Sequence, residues 1–279
     1  AFARHADRFD VAVSTANEFA LPIRSVQYVH FPQFNGRWVP PASPGRLDPL
    51  WSRLAGLGDR RLPADARLLA NSAWTADAVE AAYGRRPTVC FPPVDPPADP
   101  RPWGDREDGV VVVGRLAPDK RPLRAISIVD GVRARGHDLH LHLVGSSSSI
   151  YPDYGRRVVA AAADRPYVHL ERDVPRDRVE TLLETHRYGL NCKPTEHFGM
   201  AVAEYVAAGM VAFAPDAGGQ REVLDGRPDR LFDSTPDAVA TMTAAIANDD
   251  RPTLPRDRYA SDRFHAAIRE GVATVLDGE

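Results

Sequence analysis

GVVVVGRLAPDKRPLRAISIVDGVRARGHDLHLHLV, residues 109–144, reads as strand, helix, strand. Residues 109–113 are a continuous apolar run, the pattern of a strand covered on both faces. Residues 123–135 carry apolar side chains at helical spacing, and residues 140–144 form a second short strand. The alternation continues outward. Helices are expected over 153–163, 176–186 and 199–208, and strands over 168–170, 189–192 and 211–214. Short apolar strands separated by helices imply a parallel sheet with helices on both faces. Upstream, 10–14, 25–30, 67–70 and 88–91 read as four more strands, and Ser72 is placed to cap a helix over 74–83. Residues 32–49, rich in Pro and Gly, read as a loop. Six prolines between Pro92 and Pro102 exclude helix and central strand, so the domain boundary is placed there. A last helix over 261–276 puts Phe264, Ile268, Val272 and Val275 on one face.

Composition narrows the class. The chain has 279 residues, 43% hydrophobic and 26% charged, with net charge −3, which argues for a globular protein and against a general nucleic-acid binder. No stretch reaches the roughly 18–20 apolar residues of a membrane span. Two cysteines, Cys90 and Cys192, fit a reducing compartment and exclude a disulfide scaffold. Of 35 basic residues only Lys120 and Lys193 are lysines, so coding bias explains the arginines but not these two.

The chemistry concentrates in KPTEHFGMAVAEYVAAGMVAFAPDAGG, residues 193–219. Glu204 is the only charged residue between His197 and Asp216, in an apolar helix, so it must have a partner. That partner is either an internal cation or the hydroxyls of a ligand, as in the ribose contacts of dinucleotide folds. Glu196 precedes the helix. Phe198, Gly199 and Met200 open it, and the N–H groups and positive dipole end of a helix start favour an anion there. A second group follows the first strand of this region. Arg115 leaves its carboxyl end and Lys120 lies five residues on; the pair suits a diphosphate, or is a solvated basic loop. Neither GxGxxG nor GxxxxGK[ST] occurs, which removes the main support for hydride-transfer dehydrogenases and P-loop phosphotransferases.

These motifs resemble the retaining glycosyltransferases of family 4, which have the GT-B fold. The resemblance rests on the E-x7-E pair Glu196 and Glu204 in an EHFG context, on GRL-x-x-x-K at 114–120, on Gly218-Gly219 with Glu222, and on Pro-Pro-Val-Asp at 92–95. QYVHFP (27–32), NSAWT (71–75) and FPPVD (91–95) resemble the mannosyltransferases of lipid-linked oligosaccharide assembly. The implied fold is α/β, two Rossmann-like domains with parallel sheets facing a cleft. The implied division is an acceptor-side domain at 1–95, incomplete at its N-terminus, a linker at 96–105, a nucleotide-sugar domain at 106–250, and a terminal helix at 251–279 packing back on the first domain.

The resemblance implies that Arg115, Lys120 and the N–H groups of Phe198, Gly199 and Met200 hold a donor diphosphate. Glu204 binds ribose, Glu196 contacts the transferred sugar, and Arg172 and Val174 meet the nucleobase, although relatives usually carry Gly at the position of Arg172. His30 either faces sugar and acceptor or is an ordinary strand-end histidine. The expected activity is retaining transfer of a hexose, first mannose from GDP-mannose, to a glycan or lipid-linked acceptor. The alternatives are a non-catalytic nucleotide-sugar-binding scaffold and a nucleotide-sugar epimerase. No Asp-x-Asp occurs, so neither metal nor other cofactor is expected. No nucleic acid is expected as partner. A cytoplasmic location, with peripheral contact at the inner membrane face through Arg4, Arg8, Arg37, Arg53, Arg60 and Arg61, completes the expectation.

Overall fold

The computed structural model describes residues 6–32, 50, 62–147 and 150–278. Most of the expected loop at 32–49, and Arg4, Arg37, Arg53, Arg60 and Arg61, lie outside them. The chain divides into two compact units: one takes the residues up to Pro93 together with Ser261 onward, the other Val94–Ala260. The division thus falls within the proline-rich run, between Pro93 and Val94.

The first unit holds four parallel strands in the order β1 (Ala12–Ser14), β2 (Ser25–Val29), β3 (Ala66–Ala70) and β4 (Thr88–Val89). Every residue of β2 is buried, so Gln27 needs internal partners. Its amide supplies them by bonding both the N–H and the carbonyl of Phe19, each at 2.8 Å. Helix α1 (Ala73–Tyr83) starts where Ser72 Oγ accepts the Thr75 N–H at 3.0 Å and stops at Gly84 in the left-handed region. The long final helix, named below as α8 (Ser261–Asp277), packs on β2 and β3. It sets Phe264, Ile268, Val272 and Val275 against Val26, Tyr28 and Leu69.

The second unit contains β5 (Glu107–Val113), α2 (Pro122–Arg133), β6 (His140–Gly145), α3 (Pro152–Ala163), β7 (Val168–Arg172), α4 (Arg176–Thr185) and β8 (His186–Leu190). It continues with α5 (Met200–Ala207), β9 (Val211–Pro215), α6 (Gly219–Val223), β10 (Leu231–Phe232) and α7 (Thr235–Ala247). The six strands are all parallel, in the order β10-β9-β8-β5-β6-β7. Successive strands build outward from β5 in one direction, then from β8 in the other. The connections after β5 and β8 therefore leave the sheet on opposite sides, and a crevice opens between them at the carboxyl ends.

Three local expectations are corrected. His186 does not end a helix; it opens β8, because Leu190, Tyr188 and their neighbours find parallel partners in β5 and β9. Residues 231–232 and 235–247 form β10 and α7, which the pattern of short apolar runs did not single out. Ser234 caps α7, with its Oγ accepting the Asp237 N–H at 3.2 Å.

Tyr205 ties α5 to the crevice. The Val113 N–H donates to its hydroxyl at 2.8 Å, and the hydroxyl lies 3.4 Å from the Leu190 carbonyl oxygen. Burial raises its pKa, so it remains a neutral phenol. Tyr205→Phe strands the Val113 N–H in the core. We expect a loss of about 1–3 kcal/mol in the unfolding free energy from urea denaturation. Beyond the last turn of α5, Arg106 donates to the carbonyls of Ala208 (2.8 Å), Gly209 (3.0 Å) and His186 (3.3 Å), which anchors the helix C-terminus.

Candidate donor site at the sheet switch point

β5 and β8 end side by side, so the loops that follow them meet. Lys120, in the first loop, donates through Nζ to Glu196 Oε1 at 2.6 Å; Glu196 stands in the second. Lys193 donates to the other oxygen, Oε2, at 3.0 Å. The two lysines of the sequence thus converge on one carboxylate. Side-chain exposures of 23%, 24% and 14% for Lys120, Lys193 and Glu196 place the trio in a partly dehydrated pocket, where charge interactions are less screened than at the surface. Two cations on one anion leave a net positive charge.

The loop carrying Glu196 is held from below. Glu196 forms an isolated parallel bridge to Gly218, and its carbonyl accepts the Gly219 N–H at 2.8 Å. Gln220 donates to the carbonyls of Pro215 (3.0 Å) and Lys193 (3.3 Å) and accepts from Asn191 at 2.6 Å. Just beyond, Gly199 stands at the N-cap of α5 with φ 108, and no side chain caps the helix. Among the described residues, the first N–H groups of α5 thus have no side-chain acceptor, the arrangement that suits an anion. Phe198 is buried and stacks edge-on with Tyr259, so it can serve a ligand only through its backbone, whereas Met200 is exposed.

Glu204 is neutralised by a protein cation: Arg176 donates to its Oε1 at 2.7 Å. Arg176 is 57% exposed and shared with Glu180, so the pairing is of the weak, screened kind, and it engages one Glu204 oxygen. Arg115 does not join the lysine–glutamate trio. It is 55% exposed and reaches Asp119 at 3.4 Å. It nevertheless lines, with Gly114, Leu116, Lys120 and Asn191, a small recess at the end of β5. Arg172 ends β7 and lines an open apolar recess with Leu116, Ser147, Pro152 and Val159. Val174 follows, beside Asp173, whose carboxylate accepts the Ser147 N–H. His30 belongs to the other unit. Its Nε2 lies 3.0 Å from the Thr15 carbonyl oxygen, and its N–H donates to Asn17 at 2.7 Å.

Sequence reasoning missed Lys193 as a site residue. The signal was present: lysine is so rare in this chain that both copies asked for an explanation.

A doubly wound parallel sheet, with cations and an uncapped helix start at its switch point, places this unit among the Rossmann-like α/β proteins. Residues 107–249 match the family described as Glycosyl transferases group 1, and the chain belongs to it. Among solved structures, that of Anabaena Alr3699/HepE in complex with UDP and glucose superposes with TM-score 0.72 at 16% identity, covering 97% of this chain and 80% of that one. AviGT4, a glycosyltransferase involved in Avilamycin A biosynthesis, superposes with TM-score 0.65 at 18% identity, covering 100% of this chain and 77% of that one. The two parallel sheets and these neighbours make the fold GT-B. The GDP-Man:Man(3)GlcNAc(2)-PP-Dol alpha-1,2-mannosyltransferase of Eremothecium gossypii is 26% identical over 162 residues, 53% of this chain and 28% of that protein. The chain thus spans less than a third of the length of that relative.

Proposed function

We propose that the protein transfers a hexose from a nucleotide-sugar donor to a glycan or lipid-linked acceptor, with retention of anomeric configuration and without a metal ion at the diphosphate. The observation that carries this reading is the convergence of Lys120 and Lys193 on Glu196 beside the uncapped start of α5. Fixed cations and helix N–H groups suit the charge that develops on a departing diphosphate. In the proposed reaction the donor C1–O bond breaks toward the diphosphate. The acceptor oxygen attacks C1 on the same face, and its proton passes to the leaving phosphate. Glu196 is proposed to lie against the sugar. Glu204 is proposed to accept ribose hydroxyls through the oxygen that Arg176 does not engage, and the recess at Arg172 to take the base. Arg115 is proposed as a second, mobile phosphate contact. The assignments of Val174 to the base and of His30 to the reacting face rest on sequence resemblance. GDP-mannose is the first donor to test, on the strength of the Eremothecium relative's name.

The test is a thermal-shift series with GDP, UDP, ADP and their sugars, followed by transfer from a labelled donor. One nucleotide is expected to raise the melting point, because a ligand that binds only the folded state stabilises it. Glu204→Ala is expected to abolish that rise. Product NMR should show a retained anomer, and added Mg²⁺ or Mn²⁺ should leave the rate unchanged. A panel in which no nucleoside diphosphate shifts the melting point, or transfer that starts only when Mn²⁺ is added, would overturn the proposal. Binding without turnover across acceptors would point to a scaffold, and an epimerised sugar nucleotide to an epimerase.

A further inference from the structure

At the opposite, amino-terminal end of the same sheet, histidines from β6, β7 and β8 come together across β5. His140 and His142 alternate with the buried Leu141 and Leu143 along β6 and therefore share one face. His169 on β7 is paired in register with His142, and their rings stack at 4.8 Å. His186 opens β8. One nitrogen from each of His140, His142 and His186 lies within 4.8 Å of the others, the only such group of potential metal ligands among the described residues. Glu107, which pairs with His186 across β5 and β8, brings Oε2 to 3.6 Å from His140 Nε2 and 3.9 Å from His186 Nε2.

We propose that His140, His142 and His186, with Glu107 as fourth donor, bind one divalent ion of the zinc class and so clamp β5, β6 and β8 together.

The protonation pattern favours a metal. His186 Nδ1 lies 2.9 Å from the Leu182 carbonyl oxygen, which can only accept, so Nδ1 carries the proton and Nε2 keeps its lone pair. His142 Nδ1 lies 2.7 Å from Glu171 Oε1, and Glu171 is also gripped by Arg178. The hydrogen bond from Arg178 holds the Glu171 carboxyl below its ordinary range, with help from His142. That carboxylate, paired with Arg178, accepts a hydrogen bond from Nδ1–H, which leaves the His142 Nε2 lone pair as a donor. These are the outer-shell partners that orient metal-binding histidines elsewhere. His140 Nε2 sits 2.9 Å from His186 Nε2. With no ion present, one proton must lie between them. With an ion, that proton moves to His140 Nδ1 and the metal takes its place. Two nitrogens on a tetrahedral zinc are about 3.3 Å apart, so the pair has to open by only a few tenths of an ångström.

The backbone has made room for the cluster. Gly109 stands between the acidic start of β5 and its apolar run, and a Cβ there would stand 2.4 Å from His140 Nε2 and 2.5 Å from His186 Cδ2. Any other residue would occupy the space in which the rings meet. Glu107 and the Gly114 turn are separated by the whole of β5, about 20 Å at strand rise, so this ion would not touch the diphosphate. The proposed metal-free transfer and a structural ion are therefore compatible, and neither depends on the other.

The test uses the full chain without a histidine tag, stripped with chelator and then titrated. Wild type is expected to bind one Zn²⁺ per chain and to melt several degrees higher with Zn²⁺ but not with Mg²⁺. Co²⁺ should give the strong visible bands of a tetrahedral site. His142→Ala should lose one-to-one binding. Glu107→Gln, at a half-exposed position where folding is not at risk, should weaken binding by about tenfold or more while leaving the nucleotide-induced melting shift intact. A stripped wild type that takes up no stoichiometric Zn²⁺, or uptake unaffected by both substitutions, would show a hydrogen-bonded histidine cluster and overturn the proposal.

Discussion

Lys120→Ala is expected to lower kcat/KM for transfer by about 10²–10³-fold, the scale of losing one charge-stabilising donor at a reacting centre. It should also abolish the melting-point rise given by the cognate nucleoside diphosphate. Lys120 is partly buried, it reaches Glu196 at 2.6 Å, and its stem lies against Gly114 at the end of β5. Removing it deletes a cation and leaves Glu196 with Lys193 alone, so the pocket loses its excess positive charge. Lys193→Ala should cost less, because Lys120 still spans the crevice from β5 to β8. The unliganded melting point should change little, since both lysines retain access to water and the gain from such pairs is modest. Steady-state kinetics beside thermal shifts check this. Activity within tenfold of wild type would show that the lysine is a scaffold contact only.

Gly218→Ala is expected to destabilise the protein by about 2–4 kcal/mol, combining a left-handed backbone with overpacking. Gly218 has φ 70, and a Cβ there would lie 2.3 Å from the Glu196 carbonyl oxygen and 3.0 Å from the Glu196 nitrogen. The methyl has no flexible neighbour to displace, so the bridge that positions Glu196 must open, and transfer should fall with stability. Gly226→Ala is the internal control. It shares a positive φ of 64, but its nearest neighbour is the Arg221 side chain at 3.7 Å. Its cost should be about 1 kcal/mol, from the backbone alone. Urea denaturation of the two variants separates the steric contact from the conformational preference. Equal losses would contradict the close approach at Glu196.

Much of this was readable from local pattern. The run GVVVV could be little other than a strand covered on both faces, and Phe264, Ile268, Val272 and Val275 marked the buried stripe of α8 at spacings of four and three residues. Lys120, Glu196 and the Gly199 helix start were singled out because their chemistry is out of place in an apolar α/β core. Other features were not readable because their cause is not local. Leu231 and Phe232 become a strand only because Ala214 and Pro215 are there to pair with. His186 looks like the end of a helix until β5 lies beside it. His140 and His142 show their shared face in the sequence, but His186 arrives more than forty residues later.

The order of residues alone determined the alternation of strand and helix, the parallel sense that such alternation forces, and the supply of rare charged residues near strand ends, all set by side-chain periodicity and burial within a few turns of chain. The tertiary structure decided which of those charges meet. It put both lysines on Glu196, gave Glu204 to Arg176, and gathered histidines from three strands at the other end of the sheet. Strand order sets these encounters, and strand order follows from packing the whole sheet, a long-range property that no window of sequence contains.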